Sequence, residues 1–289
     1  AESNQLIILS DARILFVDDF IQVPFASDSL YIPKIISICN EFNIDVIIPI
    51  HDIELDVISE NLKVFSSTKC AVNSYDIIQK CNDKLVINNL LKNNIKIPEL
   101  INNNTSTSSP IIIKPRKGVS SNGIKVFNNK RTKEVKFDAS NEFAQEYIDG
   151  KEYTVDCFSS YDVKSTIFKY SVRERVETKS GMSTKGKIVD IPILGKYCEF
   201  IHSTLNYRGV SNIQFIECNN EYYFIEINPR FAGGGILTYL SGLNFPLYTI
   251  WELVGLSDKE NINTDNITIG NQMVRYLSET FFDQNGKNI

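Results

Sequence analysis

Glu226 and Asn228 stand two residues apart in "FIEINPRFAGGG", residues 224–235. Strand side chains alternate faces, so the carboxylate and the carboxamide share one side, and Ile225 and Ile227 read as buried on the other. The strand then breaks at Pro229-Arg230 and three glycines. Gln214 lies on the preceding strand, and register decides whether it joins them. A two-residue Asn219-Asn220 turn pairs Cys218 with Glu221 and carries Gln214 opposite Ile225, mixing polar and apolar residues on each face. A three-residue loop over 219–221 pairs Cys218 with Tyr222 and Gln214 with Glu226. Ile213, Phe215, Tyr223, Ile225 and Ile227 then share one face, with Gln214, Glu226 and Asn228 on the other. The second register is expected. Oxygen donors at this spacing suit magnesium, which takes carboxylate, carboxamide and phosphate oxygens. A solvent-facing polar stripe is the alternative that the hairpin alone leaves open.

A second group has phosphate chemistry. "IIIKPRKGVSSNGIKVF", residues 111–127, is a strand ending in Lys114, a small-residue loop and another strand. Gly118, Ser120, Ser121 and Gly123 let backbone N–H groups approach phosphate oxygens, and Lys114 adds a point charge. The GxxxxGK[ST] pattern is absent, so this is no Walker loop. Lys84 follows Asp83 at a helix start, where a cation opposes the helix dipole. "AQEYIDGKE", residues 144–152, offers Glu146 at a strand end and Glu152 after a turn. Taken singly, each also reads as an ordinary surface feature.

The elements that must position these residues are legible in outline. "LIILSD" (6–11) and "DVIIPI" (45–50) read as strands around a helical 31–43, a parallel α/β layer. A helix is expected over 51–62. Two more fill 74–98, with Asp83 capping the second, which ends before Pro98. Residues 110–115 and 124–127 read as strands, and 142–160 as strand, Asp-Gly turn and strand, with alternation at Tyr153, Val155 and Cys157. Residues 167–190 read as a strand and a flexible Gly/Ser/Thr loop. A helix near 193–207 and the hairpin 210–229 follow, with no internal repeat.

Composition narrows the function classes. The chain of 289 residues fits two or three subdomains. A net charge of −5 gives no basic field for nucleic acid or an anionic membrane. No apolar run reaches the roughly 18–20 residues of a membrane span, and no signal peptide is visible. "AESNQLIILSD" opens almost directly into a strand, so the natural N-terminus is expected further upstream. Six scattered cysteines without a CxxC pair, and two histidines, argue against zinc or a disulfide scaffold and for reduced thiols in the cytoplasm. His51 and His202 lie far apart and no GxSxG is present, which leaves a Ser/His or Cys/His hydrolase little support.

Together, "NDKLVINNLLKNNIKIP", "IIIKPRKGVSSNGI", "AQEYIDGKEYTVD" and "SNIQF…IEINPR" resemble the ATP-grasp superfamily, in the branch related to the carbamoyl-phosphate synthase large subunit. The ordered series spans roughly residues 80–247. The resemblance implies an ATP-grasp fold of α/β and α+β class, two α+β subdomains clasping ATP, preceded by an incomplete Rossmann-like α/β domain that lacks its first strand and helix. The implied division is 1–66, then 67–142 with the mobile loop, then 143–289 with the metal-binding hairpin. It implies that Lys84 and Lys114 contact the ATP phosphates under the 117–123 loop. Glu146 and the backbone near Tyr147 and Ile148 would read adenine, and Glu152 would hold the ribose. Gln214, Glu226 and Asn228 would hold magnesium or manganese. Arg230 would face a reacting acyl phosphate, with Arg173, Arg175 and the 180–186 loop beside the acid substrate.

After "NPR" the chain has "FAGGG" where the synthase is serine-rich, and it lacks the synthase's duplicated half and its ammonia-tunnel partner domain. This favours a stand-alone carboxylate–amine ligase with small-molecule carboxylate and amine substrates and no nucleic-acid or membrane partner. A homodimer stays open. So do two other readings, a bicarbonate-using carboxylase or carbamoyl-phosphate-type enzyme, and a non-catalytic ATP-binding module.

Overall fold

The computed structural model describes residues 17–281, apart from 105, 108, 119–122, 128–132, 180, 257–261, 263–265 and 277. The strand expected at 6–11 lies outside the described residues, as do Ser120 and Ser121. The N-terminal layer runs α1 (Tyr31–Phe42), β1 (Val46–Ile47), α2 (Asp52–Glu60) and β2 (Lys69–Cys70), with β1 and β2 parallel. α2 starts in a capping box: the His51 imidazole accepts from Ile53 N, and the Glu54 carboxylate accepts from His51 N.

α3 (Tyr75–Asn82) and α4 (Lys84–Leu91) meet at Asp83. Its carboxylate accepts from Leu85 N at 3.1 Å and Val86 N at 3.2 Å, the N-cap that the sequence predicts. Next come β3 (Leu100–Ile101), β4 (Ser106–Thr107), β5 (Ile111–Pro115), β6 (Lys125–Phe127), β7 (Lys133–Glu134) and β8 (Glu142–Glu146). β3, β8, β5 and β6 form, in that order, an antiparallel four-stranded sheet. Ile111 and Ile113 face a small core with Val135 and Ala144, so period two turns Ile112 and Lys114 to the other side.

The second sheet is built from β9 (Lys151–Ser159), β10 (Phe168–Lys179), β11 (Met182–Val189), β12 (Gly209–Cys218), β13 (Glu221–Asn228) and β14 (Gln272–Val274), in the order β13-β12-β9-β10-β11-β14. β8 and β9 therefore belong to different sheets, joined by Tyr147–Gly150. Gly150 is required there, because a Cβ would stand 2.0 Å from the Glu217 carbonyl oxygen. α5 (Pro192–Leu205), with α3 and α4, covers one face of the six-stranded sheet. Tyr153, Val155, Cys157, Val172, Ile213 and Phe215 point into that core. Burying a side chain the size of Phe215 or Phe224 contributes about 1.5–3 kcal/mol. The opposite face carries Thr154, Asp156, Arg173, Asn212 and Gln214. Beyond it lie α6 (Ile236–Leu240) and α7 (Phe245–Val254). No disulfide links the six cysteines. Among the described residues no helix is long and apolar enough to cross a membrane.

The hairpin departs from expectation in its turn and agrees in its outcome. Asn219 and Asn220 both have positive φ, 53° and 61°, as a two-residue primed turn requires, and Cys218 pairs with Glu221. A bulge between Gln214 and Phe215 then resets the register. Phe215 faces Phe224, Ile225 is the extra residue, and Gln214 faces Glu226 after all. Phe224, not Tyr223 or Ile225, shares the core with Phe215. A second correction concerns 180–186. Most of that stretch is strand, since β10 and β11 form a long hairpin pairing Lys179 with Met182.

His202 of α5 is buried between Ser159 Oγ, 2.6 Å from Nδ1, and Ser211 Oγ, 2.7 Å from Nε2. Burial first, and the charge of Arg208 second, push its pKa down to about 3. The unfolded chain takes this proton near the usual histidine value of about 6.5, so stability is lost as pH falls from there towards 3. The unfolding free energy should drop over pH 6.5–4.5 with a slope approaching 1.4 kcal/mol per unit from this one group. Urea titrations of wild type and His202→Gln check it: the variant's slope should be shallower by nearly one proton, and equal slopes would refute the assignment.

Candidate nucleotide and acyl-transfer site

A cavity of about 610 Å³ lies between the two sheets. Ile112, Lys114 and Ile124 line it from the four-stranded side, Tyr147 and Ile148 from the connection, and the polar face of β9, β10, β12 and β13 from the other.

Lys114 is 7% exposed, and its ammonium makes no hydrogen bond among the described residues. Burial pushes its pKa down to about 8, Glu226 pulls it back up, and Lys84 pushes it down. Lys84 Nζ donates to Gly118 O at 3.1 Å and lies 3.5 Å from Glu226 Oε2. The cation at the start of α4 is offset by the Asp83 cap. Asp83 also grips Arg116 at the root of the phosphate loop, with Nη2 2.6 Å from Oδ2. Burial raises the Asp83 pKa, but the Arg116 hydrogen bond and the helix N–H groups outweigh it and hold the carboxyl below its usual range.

The three candidate metal ligands meet on this wall. Asn228 Nδ2 donates to Glu226 Oε1 at 3.2 Å and to Asn212 Oδ1 at 3.2 Å, which leaves Asn228 Oδ1 available. Gln214 Oε1 instead accepts from Arg175 Nη1 at 3.0 Å. The set is one carboxylate and two amides. Among the described residues no cluster of three His, Cys, Asp or Glu exists. An all-oxygen set of low charge fits magnesium bound together with phosphate oxygens; Gln214 would have to leave Arg175 to take part.

The remaining wall is cationic. Arg175 lies 3.2 Å from Glu152 Oε2 and donates to Gly181 O at 2.7 Å. Arg173 is held bidentately by Asp156, Nε to Oδ2 at 2.6 Å and Nη2 to Oδ1 at 2.8 Å. Gly234 lies over it, where a Cβ would come 2.3 Å from Nη1. Arg230 also reaches the cavity.

Of the residues singled out from sequence, Lys84, Lys114, Gly118, Tyr147, Ile148 and Glu152 line the cavity. So do Arg173, Arg175, Gln214, Glu226, Asn228 and Arg230. Two do not. Glu146 turns away to accept from Glu99 N at 3.1 Å, and Gly123 sits outside, against Pro115. Sequence reasoning missed Arg275, which follows β14, lines the cavity beside Gly233 and has no acidic partner among the described residues. It missed Ile112, Ile124 and Ile216, an apolar end suited to a flat heterocycle; alternation along β5 could have found Ile112.

A family model described as the ATP-grasp domain matches residues 81–234, and one described as the PylC-like N-terminal domain matches residues 10–73. Comparison with curated proteins gave no match. Three solved structures show the fold. The biotin carboxylase–beta-gamma-ATP complex from Campylobacter jejuni is similar with TM-score 0.68 and 15% identity, over 84% of this chain and 61% of that one. The biotin carboxylase domain of 2-oxoglutarate carboxylase from Hydrogenobacter thermophilus, a dimer in complex with MgADP, ADP and bicarbonate, gives 0.70 and 14%, over 92% and 66%. The L-amino acid ligase from Bacillus licheniformis gives 0.64 and 13%, over 91% and 71%. The chain thus spans less than two thirds of the first two.

Proposed function

The chain belongs to the ATP-grasp domain family, whose match takes in more than half of it, and we propose that it is an ADP-forming ligase joining a carboxylate to an amine. The observation that carries this reading is the meeting of Lys114, Lys84, Glu226 and Asn228 at one end of a cavity whose other walls are apolar or lined with arginine. A triphosphate fits that gradient: base against Ile112, Ile124 and Ile216, ribose at Glu152, phosphate chain along the lysines.

In the first step a carboxylate oxygen attacks the γ-phosphorus, the bond to the β-bridging oxygen breaks, and ADP leaves. In the second an amine attacks the acyl carbon, the acyl–oxygen bond breaks, phosphate leaves, and the amine gives up a proton. The side chains do little covalent work. Lys84, Lys114 and Arg230 neutralise the charge that develops on the transferring group, and the cavity aligns the reactants. Magnesium, held by Glu226 and Asn228 with Gln214 in reserve, would supply Lewis-acid neutralisation of phosphate oxygens. Arg175 and Arg275, with Arg173 beneath Gly234, make the end that receives the acid.

We also propose a pre-ATP-grasp domain over 1–66 and two lobes over 67–142 and 143–289. β8 (Glu142–Glu146) pairs with β5 and so goes with the smaller lobe, which moves the boundary from 142/143 to the connection after Glu146. Reduced cysteines and acidic charge suit the cytoplasm. The test uses a carboxylate labelled with heavy oxygen, found by a phosphate-release screen of acids with an amine pool. One labelled oxygen should appear in the released phosphate, with ADP as the other product. AMP and pyrophosphate, or unlabelled phosphate during amide formation, would sink the proposal. A bicarbonate-dependent ATPase with no amine requirement would favour the carboxylase reading, towards which the fold likeness to biotin carboxylase points.

A further inference from the structure

Asp52 opens α2, in the layer ahead of the nucleotide lobes, and grips Arg230 178 residues away. Arg230 Nε donates to Asp52 Oδ1 at 2.8 Å and Nη2 to Oδ2 at 3.2 Å. Nη1 donates to Phe231 O at 3.3 Å. A guanidinium has five N–H groups, so two remain, on a side chain that lines the cavity. The backbone at Arg230 is fixed separately. Its N–H bonds to Asn228 O at 2.8 Å, and its carbonyl accepts from Asn212 Nδ2 at 2.9 Å. The hairpin therefore sets where Arg230 starts, and Asp52 sets where its fork points.

α2 has a second anchor besides Asp52. One turn on, Asp56 accepts from Gln79 Nε2 at 2.8 Å and Asn82 Nδ2 at 2.9 Å, which ties α2 to α3. Gln79 Oε1 in turn accepts from Lys117 Nζ at 2.7 Å, at the root of the phosphate loop. One face of α2 thus reaches the root of the loop that would cover the phosphates through Gln79, and directly holds the arginine that would face the transferred group.

We propose that Asp52 is a positioning residue for phosphoryl transfer: it fixes the plane of the Arg230 guanidinium so that the two remaining N–H groups meet the group leaving ATP. This rests on the role given to Arg230 above. A bidentate carboxylate holds the fork in one orientation before substrate arrives, and donors aimed in advance at developing charge are worth more than donors that must reorganise.

The test compares binding of ADP with that of ADP plus aluminium fluoride, a mimic of the transferring phosphoryl group, by calorimetry on the full chain with magnesium. Wild type should bind the fluoride complex far more tightly than ADP. Arg230→Met should abolish the gain. Asp52→Asn should cut it about tenfold, the size typical for loss of a partner that orients a functional group, with ADP affinity unchanged. Asp52→Glu, which keeps the carboxylate, should recover most of it. A full gain in Asp52→Asn while Arg230→Met loses it would make Asp52 a mere fastening between domains and overturn the inference. Equal loss of affinity for ADP and its fluoride complex would do the same. A gain that survives Arg230→Met, or is absent from wild type, would instead remove the phosphoryl role of Arg230 and the inference with it. Should Asp52→Asn fail to fold, Asp52→Ser gives the same reading.

Discussion

Replacing Glu226 with glutamine should lower turnover by about 10²–10³-fold, the cost of ~2.7–4 kcal/mol that follows loss of one charged stabilising group in an active site. Glutamine keeps the shape and can still accept from Asn228, so the hairpin and its core, Phe215 against Phe224, should stay intact. What is lost is the single carboxylate among the three candidate metal ligands. That charge also lies between two lysines, 3.5 Å from Lys84 and close enough to Lys114 to raise its pKa. Removing it leaves those cations facing each other and leaves magnesium with amides alone, a poorer set for a hard dication. The check is the rate of phosphate release at saturating ATP across a magnesium titration, beside the thermal unfolding midpoint. Near-normal magnesium-dependent turnover would reduce the Gln214–Glu226–Asn228 face to a polar stripe on a half-buried hairpin.

How much of this was legible depends on how local each cause is. The Asp83 cap depends on two N–H groups two and three residues ahead, so it reads directly from sequence. The alternation of Tyr153, Val155 and Cys157 is equally local, and all three reach the core. The metal-site pairing is the expected one, but a different turn produces it. The demand for one polar and one apolar face near the site was sound, but a bulge at Ile225 met it, and a bulge leaves no mark in a sequence that also accommodates a longer loop. The 180–186 stretch read as a loop because glycine and serine weaken strand propensity. Its pairing with β10, and through Lys185–Lys187 with β14, is long-range and overrides that preference. The adenine role of Glu146 comes from the family resemblance alone, and its side chain instead accepts from Glu99 N across the sheet. Asp52 and Arg275 were out of reach for the same reason: their value arises only when distant segments fold against the cavity.

Lys114→Met should weaken ATP binding by about 10–100-fold, the ~1.5–3 kcal/mol of a hydrogen bond to a charged partner, and should at the same time make the free protein more stable at neutral pH. The two effects have one origin. Lys114 is buried on β5, its ammonium has no hydrogen-bonding partner among the described residues, and burial holds its pKa near 8 against an ordinary value near 10.5. Between those values the unfolded chain binds more protons than the folded one, so stability rises with pH from about 8 to 10.5 and carries the full cost of the buried charge below 8. Methionine fills the same space with no charge to desolvate, so this cost disappears, although Glu226 then loses a neighbouring cation and offsets part of the gain. Groups that cost stability without ligand and repay it on binding mark functional sites. Nucleotide phosphates would restore the missing partner and pull the pKa back up, so ATP binding above pH 8 should take up a proton in wild type and less in the variant. Calorimetry in two buffers of different ionisation enthalpy measures both affinity and proton uptake, and thermal unfolding without nucleotide measures stability. A folded variant with unchanged ATP affinity would remove Lys114 from the phosphate site, whatever its effect on the fold.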